Sequence, residues 1–166
     1  MTHVLLPNYS SKDISVIIPT YNRAGDVRET LRFLMPFAKE LCEIIIVDQS
    51  KNDETKKVVQ TYQKKHKNLV YVYSKVPSIT IARNLGVKQL SKKVKIVCFI
   101  DDDVTLGRDY FKEILAVFNT HSEAKGVAGY VPSPEFSKMP FLEKFLRRIF
   151  YINYPEKDRA RMISPY

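Results

Sequence analysis

Long apolar runs are missing from this chain. None exceeds five residues, as in 96–100 (Ile-Val-Cys-Phe-Ile), where about 18 are needed to cross a bilayer, so no membrane-spanning segment is expected. Residues 1–8 have no basic lead, and their Val-Leu-Leu run stops at Pro7; both parts of a secretory signal are lacking, and a cytoplasmic chain is expected. Cysteine is scarce. Cys42 and Cys98 stand amid apolar residues without the spacing of a zinc or dithiol motif, and read as buried hydrophobes. His3, His66 and His121 have no partner at metal-ligand spacing and should face solvent. Five glycines, at 25, 86, 107, 126 and 129, supply neither GxGxxG nor a P-loop, which excludes a standard dinucleotide fingerprint and a P-loop nucleotide site. Acid is absent over residues 55–100, which hold eleven basic residues; over the whole chain 27 Lys and Arg stand against 18 Asp and Glu, a net charge of +9. Such an excess suits an anion as partner: a nucleic acid, a nucleotide diphosphate or an anionic lipid surface. It also suits a solvated basic face that binds nothing in particular.

What is present is one domain's worth of chain: 166 residues, 45% hydrophobic and 27% charged. The β-branched run 14–18 predicts a strand that ends in a loop at Pro19-Thr20-Tyr21-Asn22, since proline offers no N–H to a central strand. Asp26 precedes Val27, Leu31 and Leu34, spaced for one helical face, until Pro36. Residues 43–47 predict a second buried strand closed by Asp48, and Ser50 with Asp53 resembles a capping box ahead of Val58, Val59 and Tyr62. A third strand is expected at 69–73, a third helix capped by Ser78, and the strongest strand at 94–100, ending in Asp101-Asp102-Asp103. A helix at 110–118 and a short strand at 126–131 complete the alternation. It implies an α/β fold: a mostly parallel sheet with helices on both faces. After Pro132 the alternation stops, which divides the chain into 1–131 and 132–166.

In an open parallel sheet, ligands bind outside the carboxyl ends of the strands. Three of those ends carry polar groups: Thr20, Tyr21 and Asn22 after the first strand, Asp48 after the second, and the aspartate run after the fourth. Three adjacent carboxylates repel one another unless a cation sits between them. Oxygen ligands suit Mg²⁺ or Mn²⁺, which takes one or two protein carboxylates and fills its other positions from water and substrate phosphates. Acids capping the next helix, and an Asx turn at Asp48, are the alternatives.

Four segments together resemble a known family: residues 15–23 (Ser-Val-Ile-Ile-Pro-Thr-Tyr-Asn-Arg), 43–48 (Glu-Ile-Ile-Ile-Val-Asp), 81–86 (Ile-Ala-Arg-Asn-Leu-Gly) and 99–103 (Phe-Ile-Asp-Asp-Asp). In order and spacing they are similar to the donor-binding half of family 2 glycosyltransferases with the Rossmann-like GT-A fold. The resemblance implies a cradle for the nucleoside at Pro19, Thr20 and Tyr21, a base contact at Asp48, and a basic residue near the nucleotide at Arg83. It implies DXD acids at Asp101 and Asp103, with Asp101 reaching the ribose and sharing the metal, Asp103 holding Mn²⁺ or Mg²⁺, and Asp102 without an assigned role. The implied reaction is a metal-assisted, inverting transfer from a nucleotide diphosphate sugar to a glycan or lipid-linked acceptor, of the hexosyltransferase class, in cell-envelope polysaccharide synthesis.

The chain departs from the family in its acids. After Asp103 come Asp109, Glu113, Glu123, Glu135, Glu143, Glu156 and Asp158, none in the Glu-Asp pairing that the family places later. Only 63 residues follow the triplet, too few for the usual acceptor half. A fragment truncated before that half is expected, lacking the general base and inactive alone; a non-catalytic nucleotide-sugar binding module is the alternative. Residues 132–166 would open the acceptor side with a basic amphipathic helix near 141–151. That helix suits either the missing half or peripheral contact with the inner face of a membrane. Tyr71 and Tyr73 share one face of the third strand; in a sheet covered on both sides they read as aromatic core, so no nucleic-acid partner is expected.

Overall fold

The computed structural model describes residues 7–129 and 161–162. His3, the leader reading, the helix near 141–151 and the four acids from Glu135 on lie outside the described residues. Asn8–Leu115 forms one compact unit, and the described residues from Ala116 on belong to a second.

The first unit alternates strand and helix: β1 (Ile14–Thr20), α1 (Ala24–Leu34), β2 (Glu43–Asp48), α2 (Glu54–Gln63), β3 (Leu69–Tyr73), α3 (Ile79–Lys88) and β4 (Ile96–Phe99). The strands form a parallel sheet in the order β3-β2-β1-β4, with Ile17 opposite both Ile45 and Phe99. β1 is buried throughout, and so is β2 beyond Glu43, which explains their uninterrupted Ile and Val. Right-handed crossovers running from β1 out to β3, then back across to β4, put α1 and α2 on one face and α3 on the other. Val27, Leu31 and Leu34 of α1 and Val58 and Val59 of α2 are buried, while Ile17, Ile45 and Val47 form a cluster with Ala82 of α3. α3 comes very close to the sheet at Gly86, where an added Cβ would stand 2.6 Å from Cγ2 of Ile17.

Several local expectations are corrected. β1 continues through Pro19 although it is central. The nitrogen of Pro19 faces the same side as Ile17, whose carbonyl accepts from Ile100 N–H, and β4 has already ended at Phe99, so no ladder bond is lost there. Ser50 and Asp53 do not form a capping box: Asp53 is the N-cap but bonds no backbone group with its side chain, and Ser50 serves the loop after β1. Ser78 does cap α3, accepting from Ile81 N–H. β4 is four residues long where seven were expected. Tyr73 is 55% exposed, because among the described residues β3 is an edge strand and Tyr73 its last residue. Cys98 is buried as expected but Cys42 only half-buried; His121 is exposed and His66 half-buried.

α4 (Tyr110–Thr120) forms where expected, with Phe111 edge-on to Phe37 at 5.3 Å. The last expected strand does not join the parallel sheet. β5 (Val127–Ala128) pairs antiparallel with β6 (Arg161–Met162).

Candidate functional site

The strand order reverses between β1 and β4, and at such a point the loops leaving the carboxyl ends diverge and open a crevice. The sequence places Thr20-Tyr21-Asn22-Arg23 on one side of it and Asp101-Asp102-Asp103 on the other; the structure ties the two together. Thr20 Oγ1 donates to Oδ2 of Asp102 at 2.6 Å. Arg23 lies at the entry to α1 and meets three carboxylates: Nη1 to Asp102 at 2.9 Å, Nη2 to Asp103 at 2.9 Å and Nε to Asp26 at 2.7 Å. The proximity of Asp103, Asp102 and Asp26 raises the pKa of the Arg23 guanidinium further. Thr30, on the buried face of α1, donates to the carbonyl of Asp102 at 2.8 Å and fixes the acidic loop from below.

The three aspartates therefore differ. Asp102 is buried and turned inward; burial raises its pKa, while the Thr20 hydroxyl and Arg23 oppose that shift. Asp101 and Asp103 are exposed, and each meets an arginine through one oxygen, Arg83 at 3.2 Å and Arg23 at 2.9 Å. Arg83 leans on Phe99, its guanidinium carbon 5.7 Å from the ring centroid, and its Nε is buried without a partner among the described residues. A buried unpaired donor costs free energy until an acceptor reaches it.

Asp48 lies one strand away. It is fully buried, with Oδ1 accepting from Ser50 N–H at 2.9 Å and Oδ2 from the Tyr71 hydroxyl at 2.8 Å. Burial, followed by the Asp48 bond, pushes the Tyr71 phenol well above its ordinary range, so Tyr71 stays a donor. Ser50 Oγ accepts from Asn22 N–H at 2.8 Å, and Asn22 Oδ1 accepts from Lys51 N–H at 3.1 Å, which joins the loops after β1 and β2. Asn22 pays for this linkage with a φ of 55°, a left-handed conformation that asparagine adopts more readily than most residues. Gln49 reaches across to the carbonyls of Val76 and Ser78, joining the loop after β3 as well.

Of the residues the sequence singled out, Thr20 and Asp101 to Asp103 are thus brought together, with Arg83 joining through Asp101. Pro19 is buried in β1, Tyr21 is 38% exposed beside it, and Asp48 stands beneath the neighbouring loop. Arg23, Thr30, Ser50 and Tyr71 were given no role in this edge from sequence. Arg23 lies inside a recognised segment, and Thr30 interrupts the apolar stripe of α1; either could have signalled it. Asp109, Glu113 and Glu123 are exposed.

The exposed donor set is chemically that of a hard cation: carboxylate oxygens at Asp101 and Asp103, without nitrogen or sulfur. Among the described residues no three acid, His or Cys side chains gather as a closed metal cage. Mg²⁺ and Mn²⁺ need no such cage when phosphates and water complete their shell, so the residues present fit such an ion.

The sequence model of glycosyl transferase family 2 matches residues 15–164. The chain belongs to glycosyltransferase family 2. Among curated relatives, it is 32% identical over 120 residues to validoxylamine A glucosyltransferase of Streptomyces hygroscopicus subsp. jinggangensis, covering 70% of this chain and 28% of that protein. It is 29% identical over 154 residues to poly(ribitol-phosphate) beta-N-acetylglucosaminyltransferase TarS of Staphylococcus aureus, covering 86% and 26%. A solved structure of TarS 1–349 superposes with a TM-score of 0.59 at 28% identity, over 73% of this chain and 38% of that one. Mannosyltransferase PcManGT of Pyrobaculum calidifontis, solved with GDP-Man and Mn²⁺, shares the fold with a TM-score of 0.62 at 24% identity, over 80% and 39%. This family 2 chain therefore has the GT-A fold, and it spans about a quarter of the length of these curated relatives.

Proposed function

We propose that this chain is the donor-binding part of an inverting glycosyltransferase that moves a hexose-type sugar from a nucleotide diphosphate sugar to a glycan or lipid-linked acceptor of the cell envelope. The observation that carries the reading is the pairing of exposed carboxylates with guanidiniums at the carboxyl edge, Asp103 with Arg23 across the β1/β4 crevice and Asp101 with Arg83 of α3, where a GT-A fold takes its ligand. The GDP-Man and Mn²⁺ of the mannosyltransferase and the polymeric acceptor in the TarS name support it.

In this reading Pro19, Thr20 and Tyr21 form the nucleoside cradle, with Tyr21 its accessible member. Asp48 accepts from the base: a carboxylate has about four acceptor positions and its two protein donors use two of them, but since the side chain is fully buried the loop over it has to give way to the base. Asp101 reaches the ribose and, with Asp103, holds Mn²⁺ or Mg²⁺. Arg83 turns its fork and its unpaired Nε toward the diphosphate. The bound ion supplies neutralisation of the charge that develops on the leaving diphosphate. Thr20, Thr30 and Arg23 hold the acidic loop in place, so little reorganisation is needed when the donor arrives.

Calorimetric titration of nucleoside diphosphates with and without Mn²⁺ tests the reading. Mn²⁺ should tighten binding, and Asp103→Ala should abolish that gain while the circular dichroism stays unchanged; equal affinity with and without metal overturns it. Asp48→Ala should weaken free nucleosides as well as diphosphates, whereas a loss confined to diphosphates would move Asp48 to the phosphate side. Binding and transfer should also come apart in this chain, since general-base help alone is worth about 10² to 10⁴ in rate and no base is assigned. Robust transfer to an acceptor by this chain would refute that expectation and point to Glu123 and Glu135 for the base. Donor binding that never leads to transfer, even in a longer chain, would favour a binding module.

A further inference from the structure

The eleven basic residues between 55 and 100 do not gather at the donor edge; most lie at the opposite one. In a parallel sheet every strand is entered from the same side, and the helices return their C-termini there. Lys12 precedes β1 and Lys39 precedes β2. The turn from α2 into β3 carries Lys64, Lys65 and Lys67, and the turn from α3 into β4 carries Lys92, Lys93 and Lys95. All eight are exposed and, with the strand order β3-β2-β1-β4, they form a row across the full width of the amino edge.

The loops of this edge are bound to one another. Lys12 Nζ donates to the carbonyl of Lys39, Asn68 Nδ2 donates to the carbonyls of Ala38 and Leu41, and Lys95 N–H donates to that of Asp13. Lys12 and Lys93 both lie close enough to act on the Cys42 thiol. Three acids stand in these loops: Asp13, Glu40 and Glu43. Two are held by hydrogen bonds within the edge: Asp13 accepts from Ser10 N–H and Oγ at an exposed site, and Glu43 accepts from Ser91 N–H at 2.8 Å. Among the described residues the ion pairs are made by Arg23, Arg32 and Arg83, and by none of these lysines.

We propose that this row of lysines is a docking surface for an anionic lipid bilayer, independent of the donor site. Lysine brings a mobile point charge, suited to a diffuse negative surface; arginine, which reads individual phosphates with a fixed fork, is absent from the row. Among the described residues the exposed large aromatic side chains, Tyr21, Tyr73 and Phe99, all lie at carboxyl ends of strands, and the row itself holds only the half-buried ring of His66 on which a base or a sugar could stack. A nucleic acid or polyanionic glycan would therefore meet little besides charge, whereas a bilayer surface asks for no more. Docked by this edge, the domain would turn its donor crevice away from the membrane, toward an acceptor extended into solvent.

The test is co-flotation of the full chain with vesicles of phosphatidylcholine alone or mixed with phosphatidylglycerol, at low and high salt. Two triple variants, Lys64→Gln/Lys65→Gln/Lys67→Gln and Lys92→Gln/Lys93→Gln/Lys95→Gln, are compared with Lys51→Gln/Lys56→Gln/Lys75→Gln, which removes the same charge from exposed positions near the opposite edge. The parent should bind only the anionic vesicles and release them in salt. With a lysine near such a surface worth about fivefold in affinity, each row variant should bind at least about tenfold more weakly, and the control should bind nearly as the parent does. Four results overturn the proposal: no anionic-vesicle binding by the parent, row variants that bind like the parent, equal loss in row and control variants, or capture by heparin or DNA but not by vesicles. Both row variants lie on exposed turns, and thermal melting checks that they remain folded.

Discussion

At Arg23 a single guanidinium faces Asp26, Asp102 and Asp103, yet the energetically exposed member of this group is Asp102. Its burial is tolerated because Thr20 and Arg23 donate to both of its oxygens. Asp102→Ala should strand the buried Thr20 hydroxyl and cost about 1–3 kcal/mol by urea unfolding, while Asp103→Ala at its exposed neighbour should be nearly neutral for stability. Equal costs at the two positions would refute this division of labour. The sequence showed three identical residues in a row and no means of ranking them, because the ranking depends on Arg23 and Thr30, which reach the loop only through the fold. The thiols follow the same logic of burial. Loss of solvent raises the pKa of both Cys42 and Cys98, so at pH 8.5 each has less thiolate than an ordinary cysteine. A maleimide or disulfide reagent should label half-buried Cys42 slowly and Cys98 only on unfolding; rapid labelling of Cys98 in the folded chain would contradict its placement.

Among the elements, α3 sets the tightest tolerance. Gly86 lets its backbone approach Ile17, and a methyl group there would overlap a β-branched side chain that is itself enclosed by Ile45 and Val47. Gly86→Ala should therefore destabilise by about 1–3 kcal/mol, despite the higher helix propensity of alanine. Gly25→Ala, in the first turn of α1 with nothing within 4 Å, should be neutral or stabilising by up to about 1 kcal/mol, and denaturant melts of the pair separate packing from propensity. The elements of the first unit were legible because hydrophobic period and length speak for themselves in Ile14–Thr20, Glu43–Asp48 and α3. What was misread had no local signal. Pro19 stays in β1 because a neighbouring strand stops early, Tyr73 is exposed because β3 has no outer neighbour among the described residues, and β5 finds its partner more than 30 residues away.

On the scale of the whole first unit, parallel pairing gives the sheet a polarity that sorts its chemistry. The carboxyl edge gathers Thr20, Asp48, Arg83 and the aspartates, and the amino edge gathers lysines that in the sequence are scattered through an acid-free stretch. Four short segments mark the carboxyl edge in the sequence, whereas the lysine row appears only once the strand order is known. The same sheet leaves two flanks open: β3 bonds only β2, and β4 bonds only β1, among the described residues. Each flank presents a column of backbone donors and acceptors to which a further strand can be added. For anyone handling this chain, the weak point on storage is therefore neither the charged crevice nor the lysine row. The expected weak point is edge-to-edge self-association, which light scattering should show rising as salt screens the self-repulsion of a net charge of +9.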